Sequence, residues 1–126
     1  MGYIVNMTRS SFKIPAKNID KAFAAGMKHM KKMGLYETFK KCKNLQELLS
    51  AWACDTDLVD GDLLRVTYTR DTLIYNLPKY LNSIAEFVKP GSYIEMRGEC
   101  GGLFMYYFKN NECHELDAKT VYNLPK

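Results

Sequence analysis

The stretch KPGSYIEMRGECGGLFMYYFKNNEC, residues 89–113, decides the fold of this chain. Its two alternating, aromatic-rich runs are typical of β-strands. The glycine-rich corner at 98–102 and the Asn110-Asn111 pair are typical of the turns that join such strands. We therefore predict a meander with strands at 92–97, at 103–109 and from 112 onward.

Outward from the meander, two more regions have strand patterns. An alternating run at 2–7, with an extended continuation at 11–14, predicts the first strand. Asp60-Gly61 stands between two further strand-like runs and is the expected signature of a tight hairpin. The predicted sheet is therefore mostly antiparallel.

Apolar residues spaced three and four apart predict three helices, over 16–33, over 45–52 and over 77–89. Asn44 and Asn76 are the predicted N-caps, and Gly34 is the predicted C-terminal stop. The element order is strand, helix, helix, hairpin, helix and meander. It predicts an α+β fold in one domain, residues 1–126, with about three helices packed on one face of the sheet.

Charge is distributed unevenly along the chain. The net charge is +4, and residues 1–50 carry ten Lys or Arg against three Asp or Glu. Such asymmetry can steer an oppositely charged partner, and a solvated lysine-rich helix face is the alternative. No apolar run reaches the roughly 18 residues of a membrane helix, and no signal-peptide layout opens the chain. We expect a cytoplasmic protein without a membrane partner.

The residue types that carry chemistry are scattered. Cys42, Cys54, Cys100 and Cys113 contain no CxxC pair, so we expect reduced thiols and no metal, with a zinc site at Cys100, Cys113 and His114 as the alternative. The aspartates near Gly61 do not match a calcium loop, because Thr56 stands where the first ligand belongs. His29 and His114 lie near no nucleophile motif, and no phosphate-binding glycine loop opens a helix. We predict neither catalysis nor a cofactor.

Both sides of the run LFMYYF, residues 103–108, are apolar or aromatic. The strand is therefore either covered on both faces or part of a binding surface. Its context does not fit the ribonucleoprotein pattern, so we expect no specific nucleic-acid binding. Aromatic residues and arginine often anchor protein interfaces. The candidate partner-binding residues are Tyr93, Glu95, Arg97, Phe104 and Tyr106 on the meander and Lys28, Lys31 and Lys32 on the first helix.

The segments MGYIVNMTRSSFKI, KNLQELLSAW and VKPGSYIEMRGECGGLFMYYFKNNEC resemble a family of small, largely uncharacterised bacterial and mobile-element proteins. Its members begin with MGY and a strand, carry a leucine-rich helix ending in AW, and finish with an aromatic meander. Phe104 and Tyr106 stand where the family usually has tryptophans, and Cys100 replaces an acid. The best-matching positions are Gly2, Tyr3, Phe12, Ala51, Trp52, Gly91, Ser92, Tyr93, Ile94, Glu95, Gly98, Glu99, Gly101, Phe108 and Cys113.

The resemblance implies the fold but no established catalysis. Small proteins from phages and other mobile elements are often stoichiometric inhibitors of host defence, such as anti-CRISPR proteins. The first functional hypothesis is therefore a non-catalytic binding protein that blocks a nuclease effector. The alternatives are an immunity protein that neutralises a toxin and a protein that captures a signalling nucleotide between protomers through Arg65, Arg70 or Arg97.

Overall fold

The computed structural model describes residues 4–99 and 101–117. Within these residues the chain forms seven strands and four α-helices in an α+β fold, which confirms the predicted class. The strands are β1 (Val5–Ser11), β2 (Lys13–Ile14), β3 (Cys54–Val59), β4 (Asp62–Tyr68), β5 (Tyr93–Gly98), β6 (Leu103–Lys109) and β7 (Glu112–Asp117). The helices are α1 (Ile19–Lys32), α2 (Tyr36–Phe39), α3 (Leu45–Ala51) and α4 (Leu77–Ser83), with 3-10 turns at Ala16–Asn18 and Ala85–Phe87.

The strands form two antiparallel sheets rather than the single sheet that the sequence suggested. The larger sheet has the order β1-β5-β6-β7, and the smaller has the order β2-β4-β3. The chain leaves the first sheet for the second at Phe12, which lies between β1 and β2 and is buried. Ser10 Oγ donates a hydrogen bond to Val66 O at 2.7 Å, and Arg65 N donates one to Phe12 O at 3.1 Å. These bonds hold the two sheets together at the crossing.

The predicted hairpin and meander are present. Val59 pairs with Asp62 across the Asp60-Gly61 turn, and Gly61 has φ +88, the left-handed region that glycine adopts without strain. In the meander β6 has the predicted bounds, and it pairs with β5 on one side and β7 on the other. The first strand is longer than predicted and reaches Ser11.

Helix ends follow the local signals in part. Asn44 caps α3 by accepting a hydrogen bond from Glu47 N at 2.9 Å, while Glu47 accepts one from Lys43 N. Gly34 follows α1 with φ +75, as expected of a stop. Asn76 stands at the N-cap of α4, but its side chain makes no capping hydrogen bond. The third predicted helix is longer than the observed one. The helix α4 ends at Ser83, and a separate 3-10 turn follows at Ala85–Phe87.

The helices pack against one another, and α3 also packs against β3 of the smaller sheet while α4 packs against β7 of the larger sheet. Trp52 is fully buried, as its position on the apolar stripe predicted, and it shares one core with Met96 and Phe108. Gly26 lies where α1 approaches α3 and α4. A Cβ atom there would meet Leu48 Cδ2 at 2.7 Å. A side chain at this position would therefore force Leu48 to move. None of the described helices is long and apolar enough to cross a membrane.

Candidate binding surface

The outer face of the larger sheet, defined here by Tyr93, Glu95, Arg97, Met105 and Tyr107, is built by the antiparallel register. Glu95 pairs with Met105, and Tyr93 pairs with Tyr107. Directly opposite residues of antiparallel strands project to the same face. Tyr93 and Tyr107 are half-buried and Arg97 is exposed, whereas Met105 is buried without belonging to the main core cluster. This face therefore combines rings and guanidinium groups with partial solvent access.

Glu95 is the centre of the outer face. Its side chain is 7% exposed, and it forms a two-pronged ion pair with Arg9, with Nε to Oε1 and Nη2 to Oε2 both at 3.2 Å. Thr8 Oγ1 donates a further hydrogen bond to Oε1 at 2.6 Å. Burial by itself raises the pKa of this carboxyl, but the hydrogen bonds from Thr8 and Arg9 and the charges of Arg9 and Arg97 outweigh it. The pKa of Glu95 is lowered, and the group is ionised at neutral pH.

Arg9 links this carboxylate to an aromatic ring. Its guanidinium carbon lies 5.4 Å from the centroid of the Tyr93 ring, which is a cation–π contact. A guanidinium that is held at once by a carboxylate and a ring has little rotamer freedom left to lose when a partner binds. The arrangement is therefore preorganised. Sequence reasoning missed Arg9 and Thr8, because nothing local in the sequence shows that β1 lies beside β5.

The predicted meander residues fall on two different faces. Tyr93, Glu95 and Arg97 lie together on the outer face. Tyr106 is fully buried among the core residues, and Phe104 is half-buried against it with the two rings edge to face at 5.8 Å. Of the two alternatives for these rings, core packing describes Tyr106, because helices cover the inner face on which it lies. We therefore correct the candidate surface by removing Tyr106, while Phe104, half-buried on the inner face, stays a prediction.

The lysine-rich surface lies on α1, on the other side of the core from the outer face. Lys28, Lys31 and Lys32 are exposed there, while Ala22 and Met30 of the same helix are buried. His29 is half-buried between these lysines. Burial lowers its pKa, and the nearby charges of Lys32 and Lys79 lower it further. This histidine is therefore neutral at pH 7, and the surface is positive through its lysines alone.

The acidic residues of the β3–β4 hairpin are partly neutralised. Arg65 Nε contacts Asp57 Oδ2 at 3.0 Å, and Lys13 Nζ contacts Asp62 Oδ2 at 3.4 Å. Within the described residues no group of three His, Cys, Asp or Glu side chains is arranged to hold a metal ion. The alternative zinc site includes Cys100, which lies outside those residues.

The described thiols are poor nucleophiles. Cys54 is fully buried, and burial raises the pKa of its thiol to about 12, with Asp55 acting in the same direction. Burial likewise raises the pKa of Cys113 to about 12, with a contribution from Glu115. Because the thiolate is the reactive form, both groups are inert at neutral pH.

No protein-family model matches this chain, and comparisons with curated proteins and with solved structures found no match.

Proposed function

We propose that the protein is a non-catalytic binding protein and that the outer face of the larger sheet is its binding surface. The observation that carries this proposal is the fixed cluster of Arg9, Glu95 and Tyr93 on that face. Tyrosine and arginine are the residue types that most often dominate interface energetics. A strand pair also holds their backbones in place, so that association requires little ordering.

The nature of the partner rests on the resemblance to mobile-element proteins. We propose that the protein is an anti-CRISPR-type inhibitor, which occupies a Cas nuclease effector in one-to-one fashion and blocks access of its substrate. A cytoplasmic location is part of this proposal, and the free thiols of Cys42, Cys54 and Cys113 support it because disulfides seldom form there. The high pKa values of Cys54 and Cys113 mean that this proposal assigns these two thiols no nucleophilic role.

The test is cleavage of target DNA by purified Cas nuclease effectors at increasing concentrations of the protein. Occlusion predicts complete inhibition near equimolar protein. It also predicts that Arg97→Glu weakens binding about 30-fold, the effect of losing roughly 2 kcal/mol at an interface anchor. Lys31→Glu is the matched control, because it makes the same change of charge on the lysine-rich surface. We expect it to change affinity less than about twofold.

Three results would contradict parts of this proposal. Inhibition by a small fraction of an equivalent would show turnover and exclude a stoichiometric binding protein. A loss of affinity with Lys31→Glu but not with Arg97→Glu would move the binding surface to α1. Unchanged cleavage with every effector would remove the anti-CRISPR assignment, and the toxin-neutralising alternative would then be tested by binding to purified toxins.

A further inference from the structure

A second site lies where the chain crosses from the larger to the smaller sheet. A cleft of about 390 Å³ opens there between β1, β2, β4 and the loop before β5. Three cationic residues, Lys13, Arg65 and Lys89, line it together with the polar residues Ser11 and Ser92. Among the described residues, no acidic side chain lines this cleft. A concave site lined by cations and hydroxyl groups is suited to an anion.

The backbone fixes one wall of the cleft. Lys89 N donates a hydrogen bond to Lys13 O at 2.8 Å, and Lys13 N donates one to Ser92 Oγ at 3.2 Å. Gly91, between these residues, has φ +89, a conformation that L side chains rarely adopt. The loop is thereby bound to β2, and Lys13 and Lys89 are held beside each other before any ligand arrives.

Arg65 reaches the cleft because of a β-bulge. Asp55 pairs with Thr67 but Asp57 pairs with Leu64, so β4 has one residue more than β3 at this point. Arg65 is at the bulge with φ +57, an unusual conformation for a residue that is not glycine. Bulges redirect side chains, and strained residues of this kind cluster at functional sites.

The charged residues around the cleft favour a small anion over an extended polyanion. Asp57 forms an ion pair with Arg65, and Asp62 forms one with Lys13. Neither aspartate lines the cleft. The guanidinium has five N–H groups, and the pair with Asp57 uses the one on Nε. With Asp57 and Asp62 counted, the three cations retain a net charge of +1, which favours a single phosphate group, whereas the acidic hairpin beside the cleft repels an extended polyanion such as nucleic acid.

We propose that this cleft binds the phosphate group of a small phosphorylated molecule. Of the three arginines that the sequence offers for a nucleotide, only Arg65 lines it, while Arg97 lies on the outer face. The site is separate from the proposed binding surface, so either proposal can fail without the other.

The test is an NMR titration of the ¹⁵N-labelled protein with inorganic phosphate. Phosphate replaces chloride during the titration, so that the ionic strength stays constant. We expect saturable shifts of the amides of Ser11, Lys13, Arg65 and Ser92. Lys89→Ala and Arg65→Asn should each weaken phosphate binding roughly tenfold, the effect of one charge-assisted hydrogen bond. Asparagine is chosen because it tolerates the left-handed backbone at this position. Lys31→Ala is the control and should leave the affinity unchanged.

A second arm distinguishes the source of the phosphate. Uridine 5′-monophosphate should shift the same amides, and a short oligothymidylate should bind more weakly. Tighter binding of the oligothymidylate, with shifts on α1 and a steep salt dependence, would overturn the proposal in favour of a nucleic-acid contact. Shifts that do not saturate, or that persist unchanged in both cleft variants, would overturn it as well.

Discussion

The two faces of the larger sheet come from the same strands, and large side chains stand on both, yet they differ in their surroundings. On the inner face, Tyr106 and Phe108 pack into the core beneath the helices. On the outer face, Tyr93 and Tyr107 stay half-exposed around the ion pair of Glu95 and Arg9. Because successive residues of a strand project to opposite sides, one backbone provides both environments. The comparison shows that ring content alone does not distinguish a core from a binding surface.

The largest expected effect on stability comes from replacing two neighbouring tyrosines, one on each face of the sheet. Tyr106→Ala should lower the free energy of unfolding by about 3–5 kcal/mol, because it leaves a cavity beneath the helices. Tyr107→Ala should lower it by about 1 kcal/mol, since its ring keeps contact with solvent. Urea denaturation monitored by circular dichroism measures both. Equal losses would show that the two faces are equally buried.

Tyr106→Phe provides the control for the cavity. The hydroxyl of Tyr106 is buried and makes no hydrogen bond within the described part of the chain, so its removal leaves no partner unsatisfied. We expect Tyr106→Phe to match or exceed the wild-type stability by up to about 1 kcal/mol. A loss of about 1–3 kcal/mol in Tyr106→Phe would mean that the hydroxyl has a hydrogen-bond partner.

The next test concerns the helices that cover the inner face. Gly26→Val should destabilise the protein by about 2 kcal/mol, because its side chain would enter the space of Leu48, Trp52 and Ile84. Ala24→Val, at an exposed position of the same helix, should cost only about 0.5 kcal/mol through helix propensity. Thermal melting of the two variants makes the comparison. If both variants melt together, α1 does not approach its neighbours as closely as described.

The smallest expected effect concerns the outer face and depends on pH. The pKa of Glu95 is lowered in the folded protein from its ordinary value of 4.5, so the folded state binds this proton less tightly than the unfolded state does. The stabilisation is complete above pH 4.5 and is lost as the pH falls through the folded-state pKa. Glu95→Gln should therefore flatten the acid limb of the stability curve.

Urea unfolding of Glu95→Gln between pH 3 and 7 measures this limb. Glu86→Gln removes the same charge at an exposed position and is the control. An acid limb that is unchanged in Glu95→Gln would show that the contacts with Arg9 and Thr8 do not bias the ionisation of this carboxyl.

Local signals in the sequence were reliable where a few adjacent residues decide the conformation. The meander, the Asp60-Gly61 hairpin and the Asn44 cap were all predicted from such residues. Asn76 shows the limit of this approach, because it has the right residue type at the right place and makes no capping bond. The helix α2 has four residues, too few for apolar periodicity to indicate.

The candidate site was predicted only in part, because some of its residues come together through the pairing of strands that are distant in the sequence. Tyr93, Glu95 and Arg97 share a face by alternation, which the sequence contains. Arg9 and Thr8 join them through the pairing of β1 with β5, which are more than 80 residues apart. The division of the strands into two sheets at Phe12 also depends on such distant pairing.

The sequence by itself determined which residues turn, which alternate and which lie on helical stripes, because these properties depend on dihedral preferences and side-chain spacing within a few residues. Only the tertiary structure decided which side of each strand the helices cover, and therefore that Tyr106 is in the core while Tyr107 remains half-exposed. It also decided that Lys13, Arg65 and Lys89 meet in one cleft. The physical reason is that burial and charge proximity arise from contacts between distant segments, which no local preference encodes.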